Sequence, residues 1–186
     1  FMFGVGGQYA FKMPGSTSFS LISGSAQITT KAQYIFMLKN SIYSKNNRFF
    51  YTGDWRFLVF SQSTYGLGTN SPEGGVLDNQ YSICGLETSE DSLTQPMKFD
   101  FARLHQSMGI KVAEGFYLGL GYQFDSYFKI VDEKLKLDEG GDSLITSHYA
   151  YNTYYGFDTR SYLTSAINAK VIIDTRDNMI NARKGY

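Results

Sequence analysis

Arg103-Leu104-His105-Gln106-Ser107-Met108-Gly109-Ile110-Lys111-Val112, the tight turn Ala113-Glu114-Gly115, and Phe116-Tyr117-Leu118-Gly119-Leu120-Gly121-Tyr122-Gln123-Phe124-Asp125-Ser126-Tyr127-Phe128-Lys129-Ile130 decide how this chain folds. Read in twos, the second half places Phe116, Leu118, Leu120, Tyr122, Phe124, Phe128 and Ile130 on one face. Tyr117, Gly119, Gly121, Gln123, Asp125, Tyr127 and Lys129 fall on the other. The first half repeats the pattern, with Leu104, Met108, Ile110 and Val112 against Arg103, His105, Ser107 and Lys111. Period-two alternation predicts a strand with one apolar face. Here it lasts about fifteen residues, roughly three times the usual strand of a soluble domain. An aromatic face of that length opposite Arg, Gln, Asp and Lys predicts a transmembrane β-barrel, with lipid outside and a wet lumen inside.

The same pattern extends in both directions. Phe1, Phe3, Val5, Tyr9 and Phe11 alternate with Gly4, Gly6, Gln8 and Lys12, and a Pro-Gly turn over residues 13–17 follows. Residues 18–30 form a Ser/Thr-rich strand whose facing the sequence leaves open. Residues 33–43 put Tyr34, Phe36, Leu38 and Ile42 on one side, and Lys45-Asn46-Asn47 turns the chain. Residues 48–61 direct Phe49, Tyr51, Trp55, Phe57 and Val59 outward, with Thr52, Asp54 and Arg56 inward. Residues 62–95 read as a long polar loop with a short strand near Tyr81 to Leu86, and residues 131–158 as a second long segment, rich in tyrosine from Tyr149 to Tyr155. The last strand covers residues 161–174, with Leu163, Ile167, Ala169, Val171 and Ile173 outward. Short turns alternating with long loops fit an outer-membrane barrel. A soluble sandwich or lipocalin-like barrel also alternates, and differs in presenting its polar face to water.

Composition excludes several classes. Of 186 residues 17% are aromatic and 18% charged, the latter below the roughly 25% of soluble domains. All three prolines (Pro14, Pro72, Pro96) lie in or beside turns and loops, as ladder-bonded strands require. Mean hydropathy is −0.26, and no apolar run approaches the ~18–20 residues of a membrane helix. Net charge is zero without a basic stripe, which gives no footprint for nucleic acid. Cys84 is the single cysteine, so no internal disulfide forms. No charged-then-apolar leader is visible in the residues given, so no secretory signal is expected among them, and about seven strands are counted where single-chain barrels have an even number of at least eight. The expectation is therefore part of a larger barrel, residues 1–186 supplying seven or eight strands and no periplasmic repeat.

With strands and turns placed, Tyr65-Gly66-Leu67-Gly68-Thr69-Asn70, Gly119-Leu120-Gly121-Tyr122, Asp174-Thr175-Arg176-Asp177-Asn178 and Arg183-Lys184-Gly185-Tyr186 come into view. Together they resemble the bacterial surface-antigen superfamily, the BamA/TamA-like outer-membrane barrels, in particular compact members from Bacteroidota. The chain departs from that pattern at Ala182, where members usually carry proline, and lacks POTRA repeats and the downstream Arg-Gly-Phe/Tyr loop motif. The resemblance implies a bacterial outer-membrane location and insertion of other barrel proteins, or translocation. It also implies outer-membrane lipid, client barrels and other envelope proteins as partners, and no cofactor. The family-motif turn would comprise Asp174, Arg176, Asp177, Asn178 and Gly185. In the turn itself, Asp and Asn side chains satisfy backbone groups, and Arg176 between two carboxylates closes a hairpin.

The residues offer one enzymatic alternative. His105 and Ser107 are neighbours on one strand face, the spacing of a His-x-Ser pair in some outer-membrane lipid hydrolases. A serine nucleophile needs the imidazole as base and a third group to orient it, for which Asp100, Asp125 and Asn168 are candidates. The plainer reading makes both residues lumen lining beside Asp54, Arg56, Arg103, Lys111, Gln123 and Asp125, and the chain is then not an enzyme. A passive channel or structural subunit of an envelope complex fits the composition as well. His105 and His148 have no ligand-like spacing with Cys84, so no metal site is expected. The acids Asp132, Glu133, Asp138, Glu139 and Asp142 read as a solvated loop face before a cation site.

Overall fold

The computed structural model describes residues 1–64, 94–137, 145–175 and 183–185. The short strand expected near Tyr81, Cys84, and much of the acidic loop lie outside the described residues. The fold is all-β, an antiparallel meander of seven strands: β1 (Met2–Phe11), β2 (Ser20–Thr29), β3 (Tyr34–Tyr43), β4 (Phe49–Thr64), β5 (Gln95–Ala113), β6 (Phe116–Asp132) and β7 (Tyr162–Ile173). Each strand pairs with its sequence neighbours, in the order β1 to β7, so among the described residues the sheet is not closed into a barrel. One helix, α1 (Ser147–Tyr155), precedes β7. No helix of the described residues is long and apolar enough to cross a membrane. The chain divides into two compact units, Phe1–Leu58 with Phe101–Ser126 and Leu163–Tyr186, and Val59–Asp100 with Tyr127–Tyr162.

In the first unit, register settles the facing of β2 that alternation leaves open. Val5 opposes Ala26 and Ala26 opposes Phe36; Phe3 opposes Ile28 and Ile28 opposes Tyr34. Directly opposed residues share a face, so Ile22, Ala26 and Ile28 join the apolar side. Leu21, Ser23, Ser25 and Gln27 lie on the other. The apolar side is open: Leu120 is 67% exposed, Ile167 81% and Val171 65%. On β5 it runs from Leu104 to Val112, about 27 Å along the strand and roughly 20 Å high at a barrel's usual tilt.

The opposite face of this unit is packed. Tyr43, Phe50 and Tyr117 form a buried cluster with Ile172 against it, the Tyr43 and Phe50 rings stacked 4.4 Å apart. The connections beside it are short. A 3₁₀ turn (Lys45–Asn47) joins β3 to β4, with Asn46 at φ 57° and Asn47 at φ 53°. Asparagine tolerates that left-handed conformation best among side-chain-bearing residues. The Asn47 amide is bonded by Ser16 and donates to Thr17 at 2.6 Å.

In the second unit a β-bulge corrects the alternation. Lys129 has φ 53°, and its Nζ meets Asp100 Oδ2 at 2.9 Å. The extra residue shifts the phase of β6. Ile130, expected on the apolar face with Phe128, is instead buried, and Val131 takes the exposed side. Phe99 meets Tyr127 in a tilted contact at 5.6 Å, and Tyr127 stacks on Tyr162 at 4.7 Å.

Helix α1 occupies part of the stretch expected to be loop. Its nine residues, four of them tyrosines, have modest helix propensity, so its ends define it. The Thr146 hydroxyl accepts the Tyr149 N–H, and Gly156 at φ 70° closes the other end with Phe157 N–H donating to the Asn152 carbonyl at 2.7 Å. After it, Asp158 accepts from the Ser161 hydroxyl and from the Arg160 N–H, at 2.7 and 2.8 Å. Both bonds favour the carboxylate and hold its pKa below the ordinary 3.8. A lowered folded-state value gives this turn stability that is present above the unfolded value and lost as pH falls through the folded one. The expected result is that the Arg160 amide exchanges faster below that titration, and that Asp158→Asn flattens its pH dependence.

Candidate functional site

The candidate site is the polar face of the first unit, where residues two apart on β4, β5 and β7 point the same way. β4 brings Thr52, Asp54 and Arg56; β5 brings Arg103, His105 and Ser107; β6 brings Gln123 and Asp125; β7 brings Asn168 and Lys170. Arg56 forks onto Asp54 of its own strand, at 2.7 and 2.5 Å. Arg103 forks onto Asp125 across the β5–β6 pair, at 2.8 and 2.9 Å. These side chains keep only 25% and 17% exposure, so the pair is strong through geometry as well as charge. His105 Nε2 lies 3.0 Å from Asp125 Oδ1 but off the line of a hydrogen bond.

Ser107 belongs to a different set. Its Oγ meets Thr52 Oγ1 at 2.6 Å and accepts from Lys170 Nζ at 2.8 Å, tying β4, β5 and β7 together. β6 lies between β5 and β7, and Gly121 lets them reach across it. A Cβ there would sit 2.6 Å from Asn168 Oδ1 and 2.9 Å from Ser107 Cβ. Gly121→Ala is therefore expected to destabilise by about 1–3 kcal/mol, the usual cost of overpacking. Chemical denaturation of the wild type and variant measures it.

The expected site residues thus fall into three groups. Asp54, Arg56, Arg103, Lys111, Gln123 and Asp125 share the polar face, half-buried, and Lys111 reaches Glu114 at 2.6 Å. His105 and Ser107 share it too, but His105 faces Asp125 while Ser107 takes Thr52 and Lys170. No hydrogen bond joins imidazole to hydroxyl. Of the family-motif turn, Asp174 accepts from the Tyr43 hydroxyl at 3.1 Å and its N–H donates to the Gly115 carbonyl at 2.7 Å. Gly185 is exposed with φ 91°. Arg176, Asp177 and Asn178 lie outside the described residues.

Chemically, this face cross-links strands by charge and hydroxyl bonds. Ser107 faces an ammonium that donates to it, where an activated nucleophile needs a base that accepts. Among the described residues no three His, Cys, Asp or Glu side chains gather to hold a metal ion. The sequence reading missed the roles of Lys170 and Thr52, although both sit at inward positions of their alternating strands. Comparison with protein-family models, with curated proteins and with solved structures returned no match.

Proposed function

We propose that this chain is part of a transmembrane β-barrel of the bacterial outer membrane, serving the insertion or translocation of other envelope proteins and performing no catalysis. The observation that carries the membrane reading is the inversion of the usual order. The apolar side chains Leu120, Ile167 and Val171 are open to the surroundings, while Arg103 and Asp125 are partly buried and paired. A soluble sheet places these groups the other way round. Two pairs of polar groups on the apolar side bond each other: Tyr51 hydroxyl donates to Gln106 Oε1 at 2.7 Å, and Ser165 to the Tyr122 hydroxyl at 3.0 Å. That is what a medium without hydrogen-bonding partners demands.

Strand direction sets the parity that a closed barrel would need. In an antiparallel meander of seven, β1 and β7 run the same way, so an odd number of further strands must lie between them to complete antiparallel pairing. The total is then even, at least eight. The assembly role rests on the resemblance to BamA/TamA-like barrels, in which an open strand edge can template an incoming strand. The hydrolase alternative through Ser107 and His105 gains nothing from the bonding of either residue. Depleting the protein from its source cell tests the role: the levels of other barrel proteins in the outer membrane are expected to fall. Unchanged levels would argue for a passive channel or structural subunit.

A further inference from the structure

The second unit contains a cavity of about 330 Å³, walled by Met97, Phe99, Tyr127, Ile130 and Tyr162. The bulge supplies part of that wall: Lys129, in the left-handed conformation, shifts the phase of β6 and turns Ile130 to this side. The rings give it flat surfaces. Tyr127 and Tyr162 lie stacked, 4.7 Å apart and 20° from parallel, and Phe99 meets Tyr127 at 5.6 Å and 57°.

What the cavity accepts is decided by its polar groups, most of which are already bonded within the protein. The Ser147 hydroxyl donates to Gln95 Oε1 at 2.7 Å, and the Thr64 hydroxyl to the Gln95 carbonyl at 3.4 Å. His148 Nδ1 lies 3.0 Å from Asp132 Oδ2, and Nε2 has no accessible surface, so neither ring nitrogen meets a ligand. Gln62 and Ser63, near the end of β4, are the remaining polar groups of the lining. None of the described lining residues is Asp, Glu, Lys or Arg. An ion entering here would leave water without a counter-charge to meet it, which is costly. An apolar body loses little, and flat rings gain from offset or edge-to-face contact with Phe99, Tyr127 and Tyr162. Mostly apolar clefts of this size are where small molecules bind.

We propose that this cavity binds a small, flat, uncharged aromatic molecule, held by ring contact and apolar burial. A dry cavity of roughly 150 Å³ accepts benzene, so this one suits about two fused rings. The site is independent of whether the sheet crosses a membrane.

The test uses Met97 as reporter, because it lines the cavity and the ring current of a bound aromatic shifts its methyl resonance. The chain has six methionines, so spectra of the folded protein carrying ¹³C-methyl methionine are assigned with Met97→Leu. Met108, 57% exposed on the open apolar face of the first unit, reports non-specific partitioning. Adding naphthalene is expected to shift Met97 saturably, while Met108 shifts without saturation or stays in place. Naphthalene-2-sulfonate, the same rings with a charge, should bind at least tenfold more weakly. Decalin, with as many carbons and no flat face, should compete with naphthalene only at a tenfold or greater excess. Tyr162→Ala, at a half-exposed position, should weaken naphthalene binding at least tenfold. A Met97 response that never saturates, sulfonate or decalin binding as tightly as naphthalene, or unchanged affinity in Tyr162→Ala would overturn the proposal.

Discussion

Replacing Leu120 with arginine is expected to lower the stability of the bilayer-embedded protein by about 2–4 kcal/mol. Leu120 lies in the first third of β6, 67% exposed, and is flanked on the same face by Leu118 and Tyr122. In water a guanidinium at so open a position costs almost nothing, because surface substitutions usually stay within about 0.5 kcal/mol. In hydrocarbon the charge must be dehydrated or drawn to the interface, and near the bilayer centre the helix-free strand gives it little reach. Gln123→Arg, on the polar face, should change stability far less. Urea unfolding in lipid vesicles measures both. Equal small effects would place Leu120 in water.

The second large effect is expected at Asp125. Asp125→Ala removes both acceptors of the Arg103 fork and the carboxylate beside His105, at a guanidinium that is only one-quarter exposed. Breaking such a pair from one side costs about 3 kcal/mol, at the lower end of the range for buried pairs because some solvent remains. Removing both partners, as in Arg103→Met with Asp125→Leu, should cost much less, since both charges of the pair are removed together. A double-mutant cycle separates the two. If the double variant were as unstable as Asp125→Ala, the cost would lie in packing and not in the ion pair.

How much of this was legible from residues alone depends on which force decides each element. Where β5 and β6 alternate, the side chains on the two faces differ so much in polarity that Leu118, Leu120, Arg103 and Asp125 could be assigned in advance. The alternation failed at Lys129, because a left-handed residue leaves no mark when its side chain is an ordinary lysine. Ile130 was therefore assigned to the wrong face. β2 was ambiguous because Ser, Gly and Ala are indifferent to either side, and only pairing with Phe3, Val5, Tyr34 and Phe36 settled it. α1 was missed because its tyrosines favour strands, whereas its evidence was confined to Thr146 and Gly156 at the ends. At the site, alternation puts the residues of the polar face on one side of their strands, but it does not reveal their bonding partners. That Ser107 bonds Lys170, and not the nearby His105, depends on the gap at Gly121, which only the three-strand arrangement reveals.

The central claim is that the open apolar face meets lipid and the charged face meets water. Single nitroxide labels along β7, at Ile167, Asn168, Ala169, Lys170 and Val171, and along β4, at Asp54, Trp55, Arg56 and Phe57, measure this in bilayers through collision with oxygen and with a water-soluble nickel chelate. The account predicts alternation with a period of two: oxygen dominates at Ile167, Ala169, Val171, Trp55 and Phe57, and the chelate dominates at Asn168, Lys170, Asp54 and Arg56. Free access of the chelate to Ile167, Val171 and Phe57 would contradict it.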